Sequence, residues 1–130
     1  MAISLPFGQV VAIAVGGAAG SVLRYGMSTW VHSWAGRGFP YGTLAVNVFG
    51  CLLMGVLFVL LVERLSDSTL LRAGLLIGVL GGFTTFSSFS IETFNLIEEG
   101  AWLKAMLNAV GSLVLCVGGT WLGVWIGRQI

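Results

Sequence analysis

The residues best suited to chemistry in this chain lie in one run, Gly-Gly-Phe-Thr-Thr-Phe-Ser-Ser-Phe-Ser, from Gly81 to Ser90. Its phenylalanines recur every third residue and are interleaved with threonine and serine hydroxyls. Hydroxyls donate hydrogen bonds, and the edge of an aromatic ring carries partial positive charge. Phe86 and Phe89, which have hydroxyl residues on both sides, could therefore coordinate an anion without a fixed cation. The alternative is a packing role for the aromatic stripe.

The same run predicts an interrupted helix. Two adjacent glycines cost about 1 kcal/mol each in a helix interior, and threonine and serine side chains compete for backbone hydrogen bonds. Inside a membrane, a broken helix is tolerated only where the freed backbone groups line a cavity or find partners within the protein. We expect a break near Gly81–Thr85. Its released carbonyls, from Gly81 to Thr84, are hard oxygen donors suited to a small cation.

Two further segments place polar side chains inside apolar runs. Asn47 follows Thr43 by four residues, and Ser112 follows Asn108 by the same interval. Residues four apart lie on one face of a helix, so each segment presents a narrow polar stripe. The alternative is that these groups only form hydrogen bonds between helices, worth about 0.6 kcal/mol each, with no part in transport.

Arg24 is the first cation of the chain and follows an apolar run. It could supply a fixed positive charge near a vestibule, attracting anions or binding the ends of segments through hydrogen bonds. The alternative is an anchor at the membrane interface, beside Tyr25 and Trp30, with its charge extended into water.

Composition places these residues in a membrane. Hydrophobic residues make up 57% of the 130, and charged residues only 8%, against roughly 25% in soluble domains. Four charge-free windows approach the roughly 20 residues that a helix needs to cross the hydrocarbon core. They are Leu5–Leu23, Gly38–Val62, Ala73–Ile91 and Ala105–Gly127. We predict an all-α integral membrane protein, one domain over residues 1–130, with helices at roughly 4–31, 40–62, 70–96 and 102–128.

Four crossings place both termini on one side of the membrane, and the cations are then divided equally. The two groups are Arg64, Arg72 and Arg128 on the side of the termini, and Arg24, Arg37 and Lys104 on the other. Lysine and arginine in short connections set orientation, so this balance predicts insertion both ways round. If Arg24 is buried and has no influence, a weak preference for cytoplasmic termini remains.

Small residues at intervals of four predict close contacts between helices. The glycines concerned are Gly16 with Gly20, Gly74 with Gly78 and Gly82, and Gly119 with Gly123 and Gly127. Packing within one chain would explain most of them. A single bundle of four helices nevertheless leaves little room for a solute path, so we expect a homo-oligomer, most simply a two-fold dimer.

The remaining reactive residues do not form an enzymatic constellation. His32, the only histidine, is expected to be an ordinary solvated residue in a connection. Cys51 and Cys116 are 65 positions apart, each alone in its segment, so we interpret them as small buried apolar residues. No metal or redox spacing and no nucleophile with its base is evident.

Three motifs, in order along nearly the whole chain, resemble those of the Fluc (CrcB-type) fluoride channels. The first is Gly16-Gly17-Ala18-Ala19-Gly20 followed by Arg24-Tyr25. The second is Gly42-Thr43-Leu44-x-Val46-Asn47-x-x-Gly50, and the third runs from Gly81 through Ser90 to Glu92. The pairing of the second motif with Gly-Gly-x-Thr-Thr-Phe-Ser is the specific part of the resemblance.

The resemblance implies an antiparallel, dual-topology homodimer with two pores in the bacterial cytoplasmic (inner) membrane. Such a dimer exports fluoride passively and relieves fluoride toxicity. By resemblance, Phe86, Phe89 and Asn47 would line the fluoride path, and Thr43, Asn108 and Ser112 would extend its polar track. Arg24 would be the vestibule arginine. The backbone carbonyls of Gly81 and Thr84 from both subunits would hold a structural Na⁺ at the two-fold axis.

Two positions depart from the family pattern. Ser88 stands where members commonly have threonine, which preserves the hydroxyl, and Asn108 stands where some members have tyrosine. The lower polar track is therefore less firmly assigned than Phe86, Phe89 and Asn47. Some members occur as paired chains of opposite orientation, whereas the balanced cations here favour a chain that pairs with itself.

Two other functions fit a short four-helix membrane protein. A multidrug or cation exporter would need a membrane-embedded carboxylate for proton exchange, for which Glu92 is the only near candidate. A non-transporting assembly subunit would use the glycine faces alone. Fluoride efflux from liposomes that persists without a proton gradient would separate the channel from both.

Overall fold

The computed structural model describes residues 3–65 and 67–130. Four of its helices are long and apolar enough to cross a membrane. Helix α1 spans Phe7–Ala35, and α2 spans Tyr41–Arg64. The third crossing, Thr69–Glu98, is interrupted, and the last helix, here α5, spans Trp102–Gln129. No strand occurs in the described part of the chain. The prediction of an all-α membrane protein with four transmembrane helices is confirmed.

The third crossing consists of α3, residues 69–83, and α4, Phe86–Glu98. Two stretches of the bundle are π-helical, namely Val59–Arg64 at the end of α2 and Arg72–Leu80 within α3. The interruption therefore separates a helix that is π-helical over most of its length from one that is α-helical throughout. It lies at Thr84 and Thr85.

Proline and glycine define the short connections. Pro6 and Pro40 immediately precede α1 and α2, where their missing N–H groups need no helical acceptor. Gly36 ends α1 with φ of 83°, and Gly100 separates α4 from α5 with φ of 78°. Both values lie in the left-handed region that glycine enters without strain.

Close backbone approach joins the helices in two pairs. A methyl group at Gly20 of α1 would overlap the Val79 carbonyl of α3, and one at Gly123 of α5 would overlap the Leu52 carbonyl of α2. Glycine is needed at both positions because no side chain fits between the backbones. Packing within the chain therefore accounts for these glycines.

Most large apolar side chains lie on the outside of the bundle. All five tryptophans are exposed on the single chain, whereas Val46 and Val59 are almost completely buried. The buried set also includes polar side chains, those of Thr43, Asn108 and Ser112. An apolar exterior around a core that also buries polar side chains suits a lipid environment, because lipid tails, unlike water, do not drive apolar side chains inward.

Candidate functional site

The helix break lies within the range predicted from the sequence, but the two glycines do not form it. Gly81 is helical, with φ −63° and ψ −36°, whereas Thr84 and Thr85 are extended. Gly82 lies against Gly17 of α1, where a methyl group would be too close to the Gly17 carbonyl. The glycines therefore allow α3 to approach α1, and the threonines leave the helix.

Asn47 bonds both backbone groups of Thr85. Its Nδ2 donates to the Thr85 carbonyl at 2.9 Å, and its Oδ1 accepts the Thr85 N–H at 2.7 Å. In a continuous helix that N–H would bond the carbonyl of Gly81, four residues earlier. The Asn47 amide thus replaces the Gly81 carbonyl as the acceptor of the Thr85 N–H, and the Gly81 carbonyl is left without its helical donor.

Thr85 also begins the next helix. As the N-cap residue of α4, it accepts the Ser88 N–H on Oγ1 at 3.1 Å. In an unbroken helix that N–H would bond the Thr84 carbonyl. The break therefore removes the helical donors from the carbonyls of both Gly81 and Thr84, the pair expected from the family resemblance to hold a cation.

Arg24 is half-buried, and its Nε donates to the Gly82 carbonyl at 3.0 Å. It also lines a cavity of 270 Å³ with Thr43, Thr85 and Glu92. Among the alternatives drawn from the sequence, this geometry fits a cation that binds the end of α3 and faces a vestibule. The guanidinium satisfies one carbonyl near the break and keeps its charge beside the cavity.

A second cavity, of 370 Å³, brings together four of the predicted site residues: Asn47, Phe86, Phe89 and Ser112. The ring centroids of Phe86 and Phe89 are 5.3 Å apart, with an interplanar angle of 42°. Phe86 is 79% exposed on the single chain, so its ring is not held by core packing. An amide, a hydroxyl and two aromatic rings, from three helices, therefore line one cavity. We call this space the phenylalanine cavity and the one beside Arg24 the arginine cavity.

Thr43 lies in the arginine cavity, away from the phenylalanines. Its Oγ1 donates to Glu92 Oε1 at 2.7 Å, linking α2 to α4. Glu92 Oε2 is buried and has no hydrogen-bond partner among the described residues. Thr85 lines both cavities, so the extended residues at the break separate the two spaces.

Asn108 does not line either cavity. It is 2% exposed, and its Nδ2 donates to Thr93 Oγ1 at 2.8 Å. The Thr93 hydroxyl donates in turn to the Phe89 carbonyl at 2.7 Å. The structure therefore places Asn108 in a chain of hydrogen bonds that joins α5 to α4 behind Phe89, and not beside Asn47 and Ser112.

Two expectations from the sequence were wrong. His32 lies in the last turn of α1 and lines the arginine cavity, with Nδ1 3.0 Å from the Gly36 carbonyl oxygen. Cys51 and Cys116 are half-buried and both line the phenylalanine cavity. The separation of the two cysteines along the chain gave no indication that they line one cavity. The available signal was that Cys51 is four residues after Asn47 and Cys116 is four after Ser112.

The sequence did not indicate the structural roles of Thr85, Thr93 and Glu92; it named Glu92 only as the carboxylate that a proton-coupled exporter would need. Thr85 was expected only as one hydroxyl of the run, yet it pairs with Asn47 and caps α4. The spacing of Glu92 and Thr93 within α4 contains no signal for their partners, because those partners lie on α2 and α5.

Comparison with known proteins gives consistent matches over almost the whole chain. Residues 11–124 match the family model described as CrcB-like protein, Camphor Resistance (CrcB). A fluoride-specific ion channel FluC from Coxiella burnetii (strain Dugway 5J108-111) is 57% identical over 123 residues, which cover 94% of this chain and 99% of the relative. FluC proteins from Geobacter sulfurreducens (50% over 121 residues; 93% and 98% covered) and Magnetococcus marinus (48% over 122 residues; 94% and 99% covered) are also similar.

Proposed function

Because the chain belongs to the CrcB family and is a multi-pass fluoride channel of the bacterial cytoplasmic membrane, we propose that it exports fluoride passively as an antiparallel homodimer. The meeting of Asn47, Phe86, Phe89 and Ser112 in one cavity carries this assignment. A cavity with these donors at a helix break, inside a membrane protein, is a site where an anion can lose its water.

The chemistry of the phenylalanine cavity suits fluoride. This ion is small and strongly hydrated, so a pore must replace its water with several donors at close range. Asn47 Nδ2 carries two N–H groups, and the bond to Thr85 uses one of them. The second N–H, the Ser112 hydroxyl and the ring edges of Phe86 and Phe89 supply the rest. None of these is a full charge, so binding is weak enough for the ion to leave.

The arginine cavity is the proposed entrance to this path. Arg24 gives it a fixed positive charge, which raises the local concentration of anions. Fluoride then passes Thr85, the residue common to both cavities, and reaches Asn47 and the phenylalanines. Thr43 supplies a hydroxyl to the wall of the entrance. Asn108 acts indirectly, by holding the backbone of α4 behind Phe89.

A second copy of the chain completes the path in this proposal. Ser87, Phe86 and Gly81 are exposed beside an extended backbone at membrane depth. Polar backbone and hydroxyl groups at that depth are tolerated only where protein covers them or they line a cavity. Without Arg24, which lies inside the bundle, the two faces carry three and two cations, a difference small enough for the partner to insert upside down, and a two-fold axis in the membrane plane then pairs the two breaks.

The released carbonyls fit the proposed Na⁺ site. The Thr84 hydroxyl donates to the Leu80 carbonyl at 2.8 Å, so its backbone carbonyl, and not its side chain, is left for a ligand. Carbonyl oxygens are hard donors, and the Gly81 and Thr84 carbonyls from two chains would give four of them. The ion would neutralise these dipoles and join the two broken helices.

Fluoride efflux from liposomes that contain the purified chain tests the function. We expect rapid efflux of fluoride, little efflux of chloride, and no dependence on a proton gradient, because the path contains fixed donors and no exchange step. Liposomes that retain their fluoride, or a flux that requires a proton gradient, would contradict the proposed channel.

A further inference from the structure

The phenylalanine cavity contains a second kind of chemistry. Both cysteines of the chain, Cys51 and Cys116, line it as free and half-buried thiols. Cys51 lies one helical turn beyond Asn47 on α2, and Cys116 lies one turn beyond Ser112 on α5. The two thiols therefore extend the two polar stripes, and the fluoride path as proposed does not use them.

Contacts between α2 and α5 place the two cysteines at the same depth. The Thr120 hydroxyl donates to the Cys51 carbonyl at 3.1 Å, and a methyl group at Gly119 would lie 4.0 Å from Cys51 Cβ. Cys116 is one turn before these residues on α5 and lines the same cavity as Cys51. The pair is thus local, and it faces a space wide enough for an ion.

The surroundings of the two thiols restrict which ion they suit. Thiolate sulfur selects soft metals. In the described part of the chain no group of three His, Cys, Asp or Glu side chains could hold a metal, so Zn²⁺ would lack its usual four ligands. A net charge at membrane depth is costly, and two thiolates cancel the charge of a divalent ion. The pair therefore suits a soft divalent ion that accepts two-coordinate binding, as Hg²⁺ does.

We propose that Cys51 and Cys116 together form a binding site for a divalent thiophilic metal ion of the mercury(II) type, and that the bound ion obstructs fluoride passage. Two S–H bonds break, two sulfur–metal bonds form, and two protons leave to water, so the product is neutral. The metal then occupies the cavity beside Phe86, Phe89 and Ser112. Its effect on fluoride flux rests on the proposed function, whereas its binding does not.

Counting free thiols tests the binding. Titration of the purified full chain with mercuric chloride should remove two free thiols for each Hg²⁺ bound. Cys51→Ser and Cys116→Ser should each lose one thiol per metal, and the double variant none. Met54→Leu, which removes a soft sulfur on α2 outside the cavity, should behave as the unmodified chain. Loss of one thiol per metal from the unmodified chain would show that the cysteines bind separately and would overturn the shared site.

Flux measurements test the obstruction, with each variant referred to its own efflux before metal is added. Mercuric chloride should abolish most fluoride efflux through the unmodified chain, and a dithiol should restore it while a monothiol should not. The single serine variants should recover with a monothiol, because one sulfur–metal bond is displaced more easily than two. The double variant should be insensitive.

Two further outcomes separate the site from the channel. Inhibition that persists in the double serine variant, or unchanged efflux when both thiols are occupied, would overturn the obstruction. Absence of fluoride efflux before any metal is added would contradict the proposed function. In that event the thiol counts alone would decide whether the site exists.

Discussion

Asn47 acts at the helix break as a substitute for backbone. Its amide accepts and donates the two hydrogen bonds that Thr85 would otherwise lack, at 2.7 and 2.9 Å. A side-chain amide carries the same donor and acceptor as a peptide group, which is why asparagine suits this position. One N–H remains available for a passing anion. A single residue thus supports the break and contributes to the proposed path.

Replacing Asn47 with leucine tests this double role. Asn47→Leu should destabilise the chain by about 1–3 kcal/mol, because the N–H and carbonyl of Thr85 lose their partners in a half-buried position. Fluoride efflux should also fall sharply in the protein that remains folded. Thermal unfolding in detergent and liposome flux measure the two effects, and unchanged values for both would contradict the assigned hydrogen bonds.

Replacing Phe86 with isoleucine tests the aromatic edge. Phe86→Ile keeps an apolar side chain but removes the polarised ring edge. Fluoride efflux should therefore drop by at least tenfold, and a tenfold drop corresponds to a loss of about 1.4 kcal/mol of stabilisation. Phe94→Ile is the matched control, because Phe94 is an exposed residue of the same helix that lies outside the phenylalanine cavity. Equal flux in the two variants would remove Phe86 from the path.

At the scale of elements, glycine contacts hold the broken crossing in position. Helix α3 lies against α1, where Gly20 meets the backbone of Val79 and Phe83 just before the break. The Nε of Arg24, one turn beyond Gly20 on α1, also reaches the Gly82 carbonyl. Packing and a charge-assisted hydrogen bond therefore hold the end of α3 where Asn47 can reach Thr85.

Gly20→Ala tests this contact. The added methyl group would overlap the Val79 carbonyl, so α3 must shift, and overpacking of this kind typically costs about 1–3 kcal/mol. We expect a lower unfolding temperature and reduced fluoride efflux. Gly26→Ala is the control on the same helix, since a methyl group there meets no atom of the described residues within 4 Å. Because alanine is the better helix former, Gly26→Ala should cause no loss of stability, and similar losses in both variants would contradict the assigned contact.

At the scale of the whole molecule, the exposed break and the near-balance of cations support the proposed antiparallel pair. The bundle leaves Phe86 and Ser87 uncovered although they adjoin extended backbone. With Arg24 inside the bundle, the connections and ends carry three cations on the side of the termini and two on the other, so Lys and Arg give the chain little preferred orientation. Both properties are accounted for if half of the copies insert each way round and each break is covered by the other.

Added charge should separate the two orientations. Gly38→Lys adds a cation to the connection before α2, and Asp67→Lys adds one to the connection on the opposite side. Each variant alone should insert in one orientation and lose most fluoride efflux, because antiparallel partners are missing. Co-expression should restore efflux, since the two variants insert in opposite directions. Full activity of either variant on its own would argue against the antiparallel dimer.

The sequence by itself determined the features that depend on local physics. Apolar windows predicted the four crossings, and the run of glycines and hydroxyl residues predicted a break somewhere in Gly81–Thr85. Intervals of four residues gave the two polar stripes. These inferences hold because hydropathy and helical periodicity act over a few residues, whatever the rest of the chain does.

Only the tertiary structure decided which stripes and helices meet. Asn47 and Thr85 are 38 positions apart, and Thr43 and Glu92 are 49 apart. The structure placed Asn108 behind Phe89, outside the phenylalanine cavity, and it brought Cys51 and Cys116 to the lining of that cavity. Such pairings depend on how closely glycine lets whole helices approach and rotate. Periodicity within one helix specifies a face, but the neighbour of that face is set by the packing of the bundle.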